Sequence, residues 1–598
     1  MSRTAKAVIL ARAVRRLSPR MAAYMARRVA RNRLAVRFPD RYRARISAIE
    51  ETLPRLGRPP ADLPTGLVSM AEFYCAEYRD VMDGVLQGRV CLHGHEIDFG
   101  ASDRVDWNRG VPEEGDHQMW RVKLAHMGFL CPMMLEGGPE HYAVVATLVA
   151  GARSGTDMTA PGAFNAYWFP YAASHRILSL GAGLMLARAR GTLPPETDAA
   201  VADLLRYNVA FVLDNVEHEL NNNHVERNLA ALCLYFTYAE SIPPAIAARL
   251  ERDVAHLVGS TILEDGCQIE RSPMYQGLSV ASLAVLAETP FLSAALRARL
   301  SGRLDAARRA FAILCHPDGQ VALFNDAWHD EVPHWTGPPA PEGRSLLPQG
   351  GYGRLSQGED LCLMDAGPLG PSWNPGHGHA DFLSLEITLG AERLIVDPGT
   401  SRYNTGADRA RERSAAAHNG PCYEGIEPVE FTGCFKVGRM AEARLLDEGN
   451  LPLDTIGGTF RGTVGGAARM VRHYPGQGFL VADYWDSETP GAVSWLVPGS
   501  WQASTGPEDS ILLHKNGSDA RIVPLAGRFR APAPQASSWA CHYGRREAAH
   551  EIRLRGEAHT GGGQALLCWI GRTTPPDSAC EDGAVLLDRL AALSESSR

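Results

Sequence analysis

The sequence lacks several features that would assign it to whole classes of protein. No run of about 18 or more apolar residues occurs, so no membrane-spanning helix is predicted. The 12 cysteines form no C-x-x-C pair and are scattered from Cys75 to Cys580. This spacing argues against a compact disulfide framework and favours a reduced compartment.

Acidic residues are scarce at the start of the chain. Residues 1–46 hold 14 lysines and arginines but a single acid, Asp40, although the whole chain carries a formal charge of −8. Arginines between Arg12 and Arg20 interrupt each apolar stretch that could form a secretory signal. We therefore expect no cleavable signal and a cytoplasmic or membrane-surface location, with the periplasm left open.

This basic segment is expected to be an arginine-rich amphipathic helix that lies solvated on the body of the protein. The alternative is contact with an anionic membrane surface or an acidic polymer. No nucleic-acid partner is expected, and the oligomeric state does not follow from the sequence.

The length of 598 residues exceeds what one core supports, since single cores stop growing near roughly 250 to 300 residues. From about Ala48 to Leu314, apolar residues recur at three- and four-residue spacing, as in Ala199–Val216, Glu226–Ala239 and Leu278–Ala287. Proline and glycine separate these stretches at helix-pair intervals. The pattern predicts antiparallel helix pairs stacked into a ring or solenoid.

The composition changes at His334–Gly353, where proline and glycine are dense enough to indicate a linker. Short β-patterned runs follow, separated by turn residues, which favours an antiparallel sandwich. These runs are Tyr352–Ser356, Leu361–Asp365, Phe382–Leu389, Arg393–Val396, Phe479–Tyr484 and Ala492–Leu496. The predicted organisation is a basic segment at 1–46, a helical domain at 47–335, a linker at 336–350 and a sandwich at 351–598.

Two polar clusters lie in the helical half. The first is Asn221-Asn222-Asn223-His224, ahead of a helical run, where asparagines by themselves indicate a helix cap. The second surrounds Tyr275, in the sequence ERSPMYQ, where a buried ring with a bonded hydroxyl is the usual structural role. Each cluster alone therefore has an ordinary structural explanation.

The third cluster is the most informative. In NPGHGHAD, His377 and His379 share a face if the segment is extended, because side chains alternate along a strand. The turn VDPGT with Asp397 and the segment RSAAAHN with His418 follow. Imidazole and carboxylate groups in this number suit a zinc site, although such histidine clusters also occur without metal.

Together these motifs resemble the heparinase II/III family. The string GHGHADFLSLEITLGAERLIVDPGTSRYN, followed by RERSAAAHN, is similar to its C-terminal domain, and NNNHVERN and ERSPMYQ are similar to its helical-domain motifs. The resemblance extends from roughly Phe73 to about residue 570. It implies a multidomain α+β fold: an incomplete N-terminal (α/α) toroid, then a C-terminal antiparallel β-sandwich, with the active site in the groove between them.

The resemblance also implies an activity, namely a polysaccharide lyase that cleaves a uronic-acid glycan by β-elimination. Asn223 and His224 would neutralise the uronate carboxylate, Tyr275 would be the catalytic tyrosine and His377 a catalytic histidine. One structural zinc would be held by the positions that match the family's ligands, which are His379, Asp397 and His418. No organic cofactor is expected.

The proposed chemistry fits these groups. Donors aimed at the carboxylate would stabilise the charge that develops when the C5 proton leaves, and a base and an acid must each lie within hydrogen-bond reach. Which of Tyr275 and His377 is the base depends on the C5 epimer, which the sequence leaves open. The acidic polysaccharide could be heparan sulfate, alginate or a bacterial exopolysaccharide or capsule polymer.

Two other functions remain in view. Toroid folds also host glycoside hydrolases that use paired carboxylates, for which Asp265 and Asp326 are a candidate pair. A glycan-binding or assembly protein without turnover is the non-enzymatic alternative, because fold does not fix function. Arg271, Arg402 and Arg409 could bind substrate anions but are more often surface ion pairs.

Overall fold

The computed structural model describes residues 3–596 except 61, 334, 508, 532 and 561. Helices make up most of the first half, with one small hairpin formed by β1 (Arg89–Leu92) and β2 (His95–Asp98). The helices are α1 (Arg3–Arg15), α2 (Pro19–Arg37), α3 (Pro39–Glu51), α4 (Thr65–Tyr78), α5 (Met82–Leu86), α6 (Met119–His126), α7 (Leu130–Leu135), α8 (Pro139–Gly155), α9 (Pro170–Arg190), α10 (Pro195–Asp214), α11 (Asn223–Tyr238), α12 (Pro244–Val258), α13 (Pro273–Ala287) and α14 (Ala294–Ile313).

The sequence explains where these helices begin and how they pack. Many start with proline, whose missing N–H is not needed in a first turn. Helix α9 is mostly apolar and is buried on every side from Pro170 to Ala187, so it forms the centre against which α4, α6, α7, α10 and α11 pack. The predicted helix-pair breaks at Gly191–Pro195 and Ser241–Pro244 separate α9 from α10 and α11 from α12. The toroid expected for this half is confirmed.

The second half is built from antiparallel strands. Its helices are α15 (Ala407–Glu412) and α16 (Ala579–Ser596). Its strands are β3 (Gly343–Leu347), β4 (Tyr352–Gln357), β5 (Asp360–Asp365), β6 (Ser384–Leu389), β7 (Glu392–Ile395), β8 (Cys422–Tyr423), β9 (Phe431–Thr432), β10 (Lys436–Val437), β11 (Glu442–Leu445), β12 (Thr455–Arg461), β13 (Gly466–Tyr474), β14 (Gly478–Trp485), β15 (Gly491–Pro498), β16 (Gln502–Thr505), β17 (Ile511–Lys515), β18 (Ser518–Ala526), β19 (Arg528–Phe529), β20 (Gln535–His542), β21 (Arg545–Arg555), β22 (Glu557–Ala558) and β23 (Gln564–Gly571).

Three sheets form the β-sandwich. The largest has nine strands in the order β11-β12-β13-β14-β23-β18-β17-β16, with β22 beside β23. A five-stranded sheet follows the order β3-β4-β5-β6-β7, and another joins β19-β21-β15-β8 with β20 paired to β21. Their inner faces share one apolar core that includes Leu385, Ile456, Val481, Trp495 and Ile570. Helix α16 covers the outer face of the large sheet on β13 and β14.

The junction between the domains differs from the predicted linker. Residues 336–350 contain strand β3, which pairs with β4, so the sandwich begins inside the stretch assigned to the linker. The proline-rich composition of 338–341 concealed a strand of only five residues. An apolar cluster that joins Cys267, Ile313 and Phe324 to Tyr352 and Leu363 fastens the domains together.

The basic N-terminal segment is helical, and it packs partly on the body of the protein. Helix α1 contacts strands β9 and β10, where Arg16 donates to the carbonyls of Val437 (2.6 Å) and Gly438 (2.7 Å). Helix α3 packs on α10, where Arg45 bonds Asp214. Among the described residues, no helix combines the length and apolar character needed to cross a bilayer.

Candidate active site at the domain interface

A cavity of about 240 Å³ lies between the toroid and the sandwich. One wall comes from the starts of α11 and α13 with side chains from α6 and α9, and the other comes from loops of the sandwich and from the β9–β10 hairpin. The polar residues that line it include His117, Tyr171, Asn222, His224, Tyr275, His377, Tyr403 and Lys436. Three of the four predicted catalytic residues, His224, Tyr275 and His377, therefore converge on one space.

His224 belongs to the first turn of α11. Asn222 caps this helix, since its side chain accepts the His224 N–H at 3.1 Å. The imidazole stacks on Tyr171 at 4.3 Å between ring centroids, and its Nδ1 lies 3.2 Å from Glu217. Because Glu217 engages Nδ1, Nε2 is the nitrogen left for a ligand in the cavity.

Asn223 lies beneath the cavity surface rather than on it. Its side-chain amide donates to Glu270 at 2.7 Å, and its backbone N–H donates to the same oxygen at 2.9 Å. Asn222, which also donates to Glu270 at 2.9 Å, is the residue of this asparagine run that lines the cavity. The structure thus differs from the prediction that Asn223 faces the substrate. Asn222 lines the cavity, and the Asn223 side chain turns inward to Glu270.

Tyr275 lies in the first turn of α13, where Ser272 caps the helix and accepts the Tyr275 N–H. Its hydroxyl is 3.1 Å from that of Tyr403, and its ring centroid is 4.4 Å from that of His377. The residue is 6% exposed. Burial raises the pKa of Tyr275 well above its usual range, so the hydroxyl is protonated at neutral pH.

His377 faces Tyr275 from the sandwich side. Its Nδ1 lies 2.9 Å from Asp326, and the Asp326 N–H donates to the His377 carbonyl at 2.9 Å. A carboxylate on Nδ1 fixes the proton there and leaves Nε2 unprotonated in the neutral ring. Nε2 is 3.6 Å from Glu270, so both walls of the groove meet at this imidazole.

Asp326 is the fully buried hub of the sandwich wall. Its carboxylate accepts hydrogen bonds from Nη1 and Nη2 of Arg409, the latter at 2.8 Å, and from the Thr400 hydroxyl at 3.1 Å. His379 Nε2 lies 2.9 Å away. Burial alone would raise the pKa of Asp326, but Arg409 and the two histidines outweigh it and hold the pKa well below its usual range.

The sequence analysis missed several of these supporting residues. Asn325, whose φ is 59°, places its side chain between the Arg271 carbonyl (2.8 Å) and Asp365 (2.9 Å) and accepts the His379 N–H at 2.9 Å. The left-handed conformation, which asparagine tolerates, turns Asp326 into the site. The signal was the Asn-Asp pair directly after the buried run Val-Ala-Leu-Phe.

The three arginines considered earlier serve the fold. Arg409 is buried against Asp326, Arg402 donates to the Glu113 carbonyl at 2.7 Å, and Arg271 donates to backbone carbonyls at the domain junction. The candidate hydrolase pair is not brought together at the cavity, because Asp265 accepts from the backbone N–H groups of residues 349 and 350.

A candidate metal site lies behind the catalytic cluster. Potential ligand atoms of Asp381, Asp397 and His418 lie within 4.8 Å of one another, all buried. Among the described residues, His418 Nε2 and His379 Nδ1 have no hydrogen-bond partner, and the two rings are 5.4 Å apart. Two imidazole nitrogens without partners, beside two buried carboxylates, fit a zinc ion. Asp381 is an addition to the predicted set of His379, Asp397 and His418.

The electrostatics of this group also suit a cation. Burial lowers the pKa of His379 to about 3, so the ring is neutral and Nδ1 keeps its lone pair. Burial raises the pKa of Asp397 to about 6. Burial alone would lower the pKa of His418, but the negative charges of Asp397 and Asp381 outweigh burial and raise it. The two carboxylates therefore favour a positive charge at this position.

Comparison with known proteins gives consistent results. The sequence model of the heparinase II/III-like C-terminal domain matches residues 339–578. No curated protein matches the chain. The structure is similar to a crystal structure of heparinase III, with a TM-score of 0.64 and 13% identity over 88% of this chain and 89% of that one. It is also similar to a heparan sulfate lyase from Pedobacter heparinus, with a TM-score of 0.52 and 14% identity over 83% and 84%.

At these identities the structural matches establish the fold, a toroid followed by a β-sandwich. The family match is independent of the structural matches. It spans His377, His379, His418, Asp397 and the sandwich strands around the cavity. Sequence and architecture agree: residues 339–578 match the heparinase II/III-like C-terminal domain, and the chain is similar in fold to heparinase III.

Proposed function

We propose that this protein is a polysaccharide lyase that cleaves a uronic-acid-containing glycan by β-elimination. The observation that carries the proposal is the meeting of His224, Tyr275 and His377 at one cavity between the domains. Among the described residues, Glu331 is the single carboxylate that lines this cavity, whereas a hydrolase would require a pair. The heparinase and heparan sulfate lyase folds shared with known structures support the same class of reaction.

The geometry assigns separate roles to the two walls. His377, with its Nδ1 proton held by Asp326, presents an Nε2 lone pair that takes the C5 proton. Tyr275, protonated in its buried setting, donates to the C4 oxygen as the C4–O bond breaks and the C4–C5 double bond forms. Asn222 and His224 stabilise the negative charge on the uronate carboxylate, a role that the sequence assigned to Asn223 and His224.

This division of labour predicts a preference in stereochemistry. Two groups on opposite walls suit a substrate whose C5 proton and leaving oxygen lie on opposite faces of the ring. A uronate with the other C5 configuration places both on one face, where a single side chain must serve both steps. His377→Ala should therefore impair one C5 epimer more than the other, whereas Tyr275→Phe should impair both.

The metal ligands contribute by holding the wall in place. We propose that Asp381, Asp397 and His418, with His379 Nδ1, hold one structural zinc, which would cross-link the segments that carry them. The other ring nitrogen of His379, Nε2, contacts Asp326. A zinc ion at this site would therefore also restrain Asp326, which orients His377.

The test is the ultraviolet absorbance of a 4,5-unsaturated uronate on incubation with heparan sulfate, hyaluronan, alginate and bacterial exopolysaccharides or capsule polymers. We expect a rise with at least one polymer and a loss of about 10²- to 10⁴-fold in Tyr275→Phe and His377→Ala. Tyr142→Phe and His514→Ala, which lie outside the cavity, are the matched controls.

Other outcomes would replace the proposal. New reducing ends without an absorbance rise would indicate a glycoside hydrolase. Binding without any product over long incubation would indicate a glycan-binding protein.

A further inference from the structure

A second group of metal-binding side chains lies outside the candidate active site. His329, Cys541 and His542 each offer a ligand atom, and these atoms lie within 4.8 Å of one another. His329 follows the helical domain, whereas Cys541 and His542 end strand β20. The His329 N–H donates to the Cys541 carbonyl at 2.7 Å, and residues 329 and 542 form a parallel bridge. The backbone itself therefore assembles the three side chains.

His329 is the residue that ordinary packing leaves unexplained. It is 8% exposed, and its Nε2 has no hydrogen-bond partner among the described residues. Most buried polar atoms in proteins are paired, because a buried donor or acceptor without a partner is costly.

The neighbouring groups complete a soft donor set. Cys541 is 4% exposed and free of any disulfide. His542 is partly exposed, and its Nδ1 bonds Asp330, whose carboxylate is open to solvent. Three of these residues, His329, Asp330 and His542, line a cavity of about 350 Å³. A thiol and two imidazoles beside a carboxylate match the ligands that zinc prefers.

We propose that His329, Cys541 and His542 bind a zinc ion, with water or the Asp330 carboxylate in the fourth position. Zinc lies at about 2.3 Å from sulfur and about 2.0 to 2.1 Å from imidazole nitrogen. The three candidate ligand atoms already lie within 4.8 Å of one another, so small side-chain rotations would close the site around an ion.

This ion would join the domains next to the groove. Trp328, adjacent to His329, lines both this cavity and the candidate active site. Its ring packs on Tyr543 at 4.9 Å and on Tyr403 at 5.5 Å, and Tyr403 contacts the Tyr275 hydroxyl. Fixing His329 to β20 thus fixes the side chain that separates the two cavities.

Cobalt(II) provides a direct test on the full chain. Cobalt bound through a thiolate gives a charge-transfer absorption in the near ultraviolet, which oxygen and nitrogen ligands do not. The group at Asp381, Asp397 and His418 contains no cysteine, so it cannot produce this band. We expect metal-free protein to develop the band on titration with cobalt chloride and zinc chloride to abolish it by displacement.

The variants locate the band. Cys541→Ser should remove it, and Cys580→Ser, which changes an exposed free cysteine on α16, should keep it. His542→Ala, at a partly exposed position, should weaken cobalt binding by at least about tenfold without loss of the fold.

Two results would overturn the proposal. Wild-type protein saturated with cobalt could show no charge-transfer band, a result that needs no variant to fold. Alternatively, the band could persist in Cys541→Ser with unchanged affinity, which would place the thiolate elsewhere.

Discussion

The two walls of the groove hold their side chains by different means. On the helical wall, Glu270 is surrounded by neutral donors from Asn222, Asn223 and Gln268. On the sandwich wall, Asp326 is paired with the guanidinium of Arg409. Neutral donors orient a carboxylate without cancelling its charge, whereas an arginine does both. The walls should therefore respond differently to the loss of one partner and to pH.

The largest expected effect is on the sandwich wall. Asp326→Asn leaves Arg409 buried without a counter-charge and removes the acceptor that fixes the His377 tautomer. Breaking a buried ion pair in this way costs about 3 to 5 kcal/mol. Chemical denaturation would measure the loss, and lyase activity should fall with it.

The control for this change is an ion pair nearer the surface. Asp318→Asn disrupts the contact of Asp318 with Arg393, where the aspartate is 40% exposed, and should cost no more than about 1 kcal/mol. If Asp318→Asn proves as destabilising as Asp326→Asn, the hub role of Asp326 is wrong.

A somewhat smaller effect should separate the two asparagines of the helical wall. Asn222→Ala removes an amide that lines the cavity, caps α11 and bonds Glu270. It should lower kcat/KM by about 10²- to 10³-fold, the usual loss for one donor to a developing anion, and it should also cost about 1 to 3 kcal/mol of stability. Asn223→Ala removes a buried bond to Glu270 and should act mainly on stability, by about 1 to 3 kcal/mol.

Steady-state kinetics and denaturation of both variants would decide between them. A greater kinetic loss in Asn223→Ala than in Asn222→Ala would restore the role that the sequence assigned to Asn223.

The next effect is the pH dependence of stability, which should have opposite signs on the two walls. On the helical wall, burial raises the pKa of Glu226 to about 7, so the native state keeps a proton that the unfolded chain releases near pH 4.5. Stability from this group therefore falls as pH rises from about 4.5 to 7, by no more than about 3 kcal/mol. Asp326, whose pKa is depressed, contributes stability above about pH 4 that is lost as pH falls.

Denaturation of wild type and Glu226→Gln at a series of pH values measures this contribution. The difference in unfolding free energy between the two proteins should change across pH 4.5 to 7 and be flat above it. A constant difference would mean that Glu226 is ionised throughout the range.

The smallest effect lies at the rim of the sandwich wall, where Arg12 of α1 bonds Glu430. Arg12, together with Arg439, depresses the pKa of Glu430 to about 2, so the stabilisation from these contacts is present above about pH 4.5 and disappears as pH falls toward 2. Both side chains are partly exposed, so Arg12→Ala should cost about 0.2 to 1 kcal/mol, and less in high salt. Arg15→Ala on the same helix is the control in salt-dependent denaturation.

Much of the fold could be predicted from the sequence, because it depends on local patterns. Apolar spacing located α10, α11 and α13, and short β-patterned runs located β4 to β7. Strand β3 was missed because only one of its five residues, Leu347, has a buried side chain, so the strand gives little apolar pattern. The motifs also identified His224, Tyr275 and His377 before any geometry was known.

The supporting residues could not be predicted in the same way. Asp326 and Arg409 are 83 positions apart, and nothing in either local sequence indicates that they pair. The orientation of Asn223 depends on Glu270, which comes from the turn before α13. Such partners are set by tertiary packing, and that information is spread over the chain rather than held in a motif.

The shared core of the helical domain has a consequence for biosynthesis. Trp539, Tyr543 and Ala549 of the sandwich complete the same apolar cluster as Trp120 and Leu178. After α14 has been synthesised, the ribosome must add more than 230 residues before all three of these side chains are present. At about 5 to 20 residues per second, the nascent toroid presents an uncovered apolar flank for roughly 10 to 50 s. Chaperone engagement is expected in that interval, and catalytic competence must wait for the end of translation.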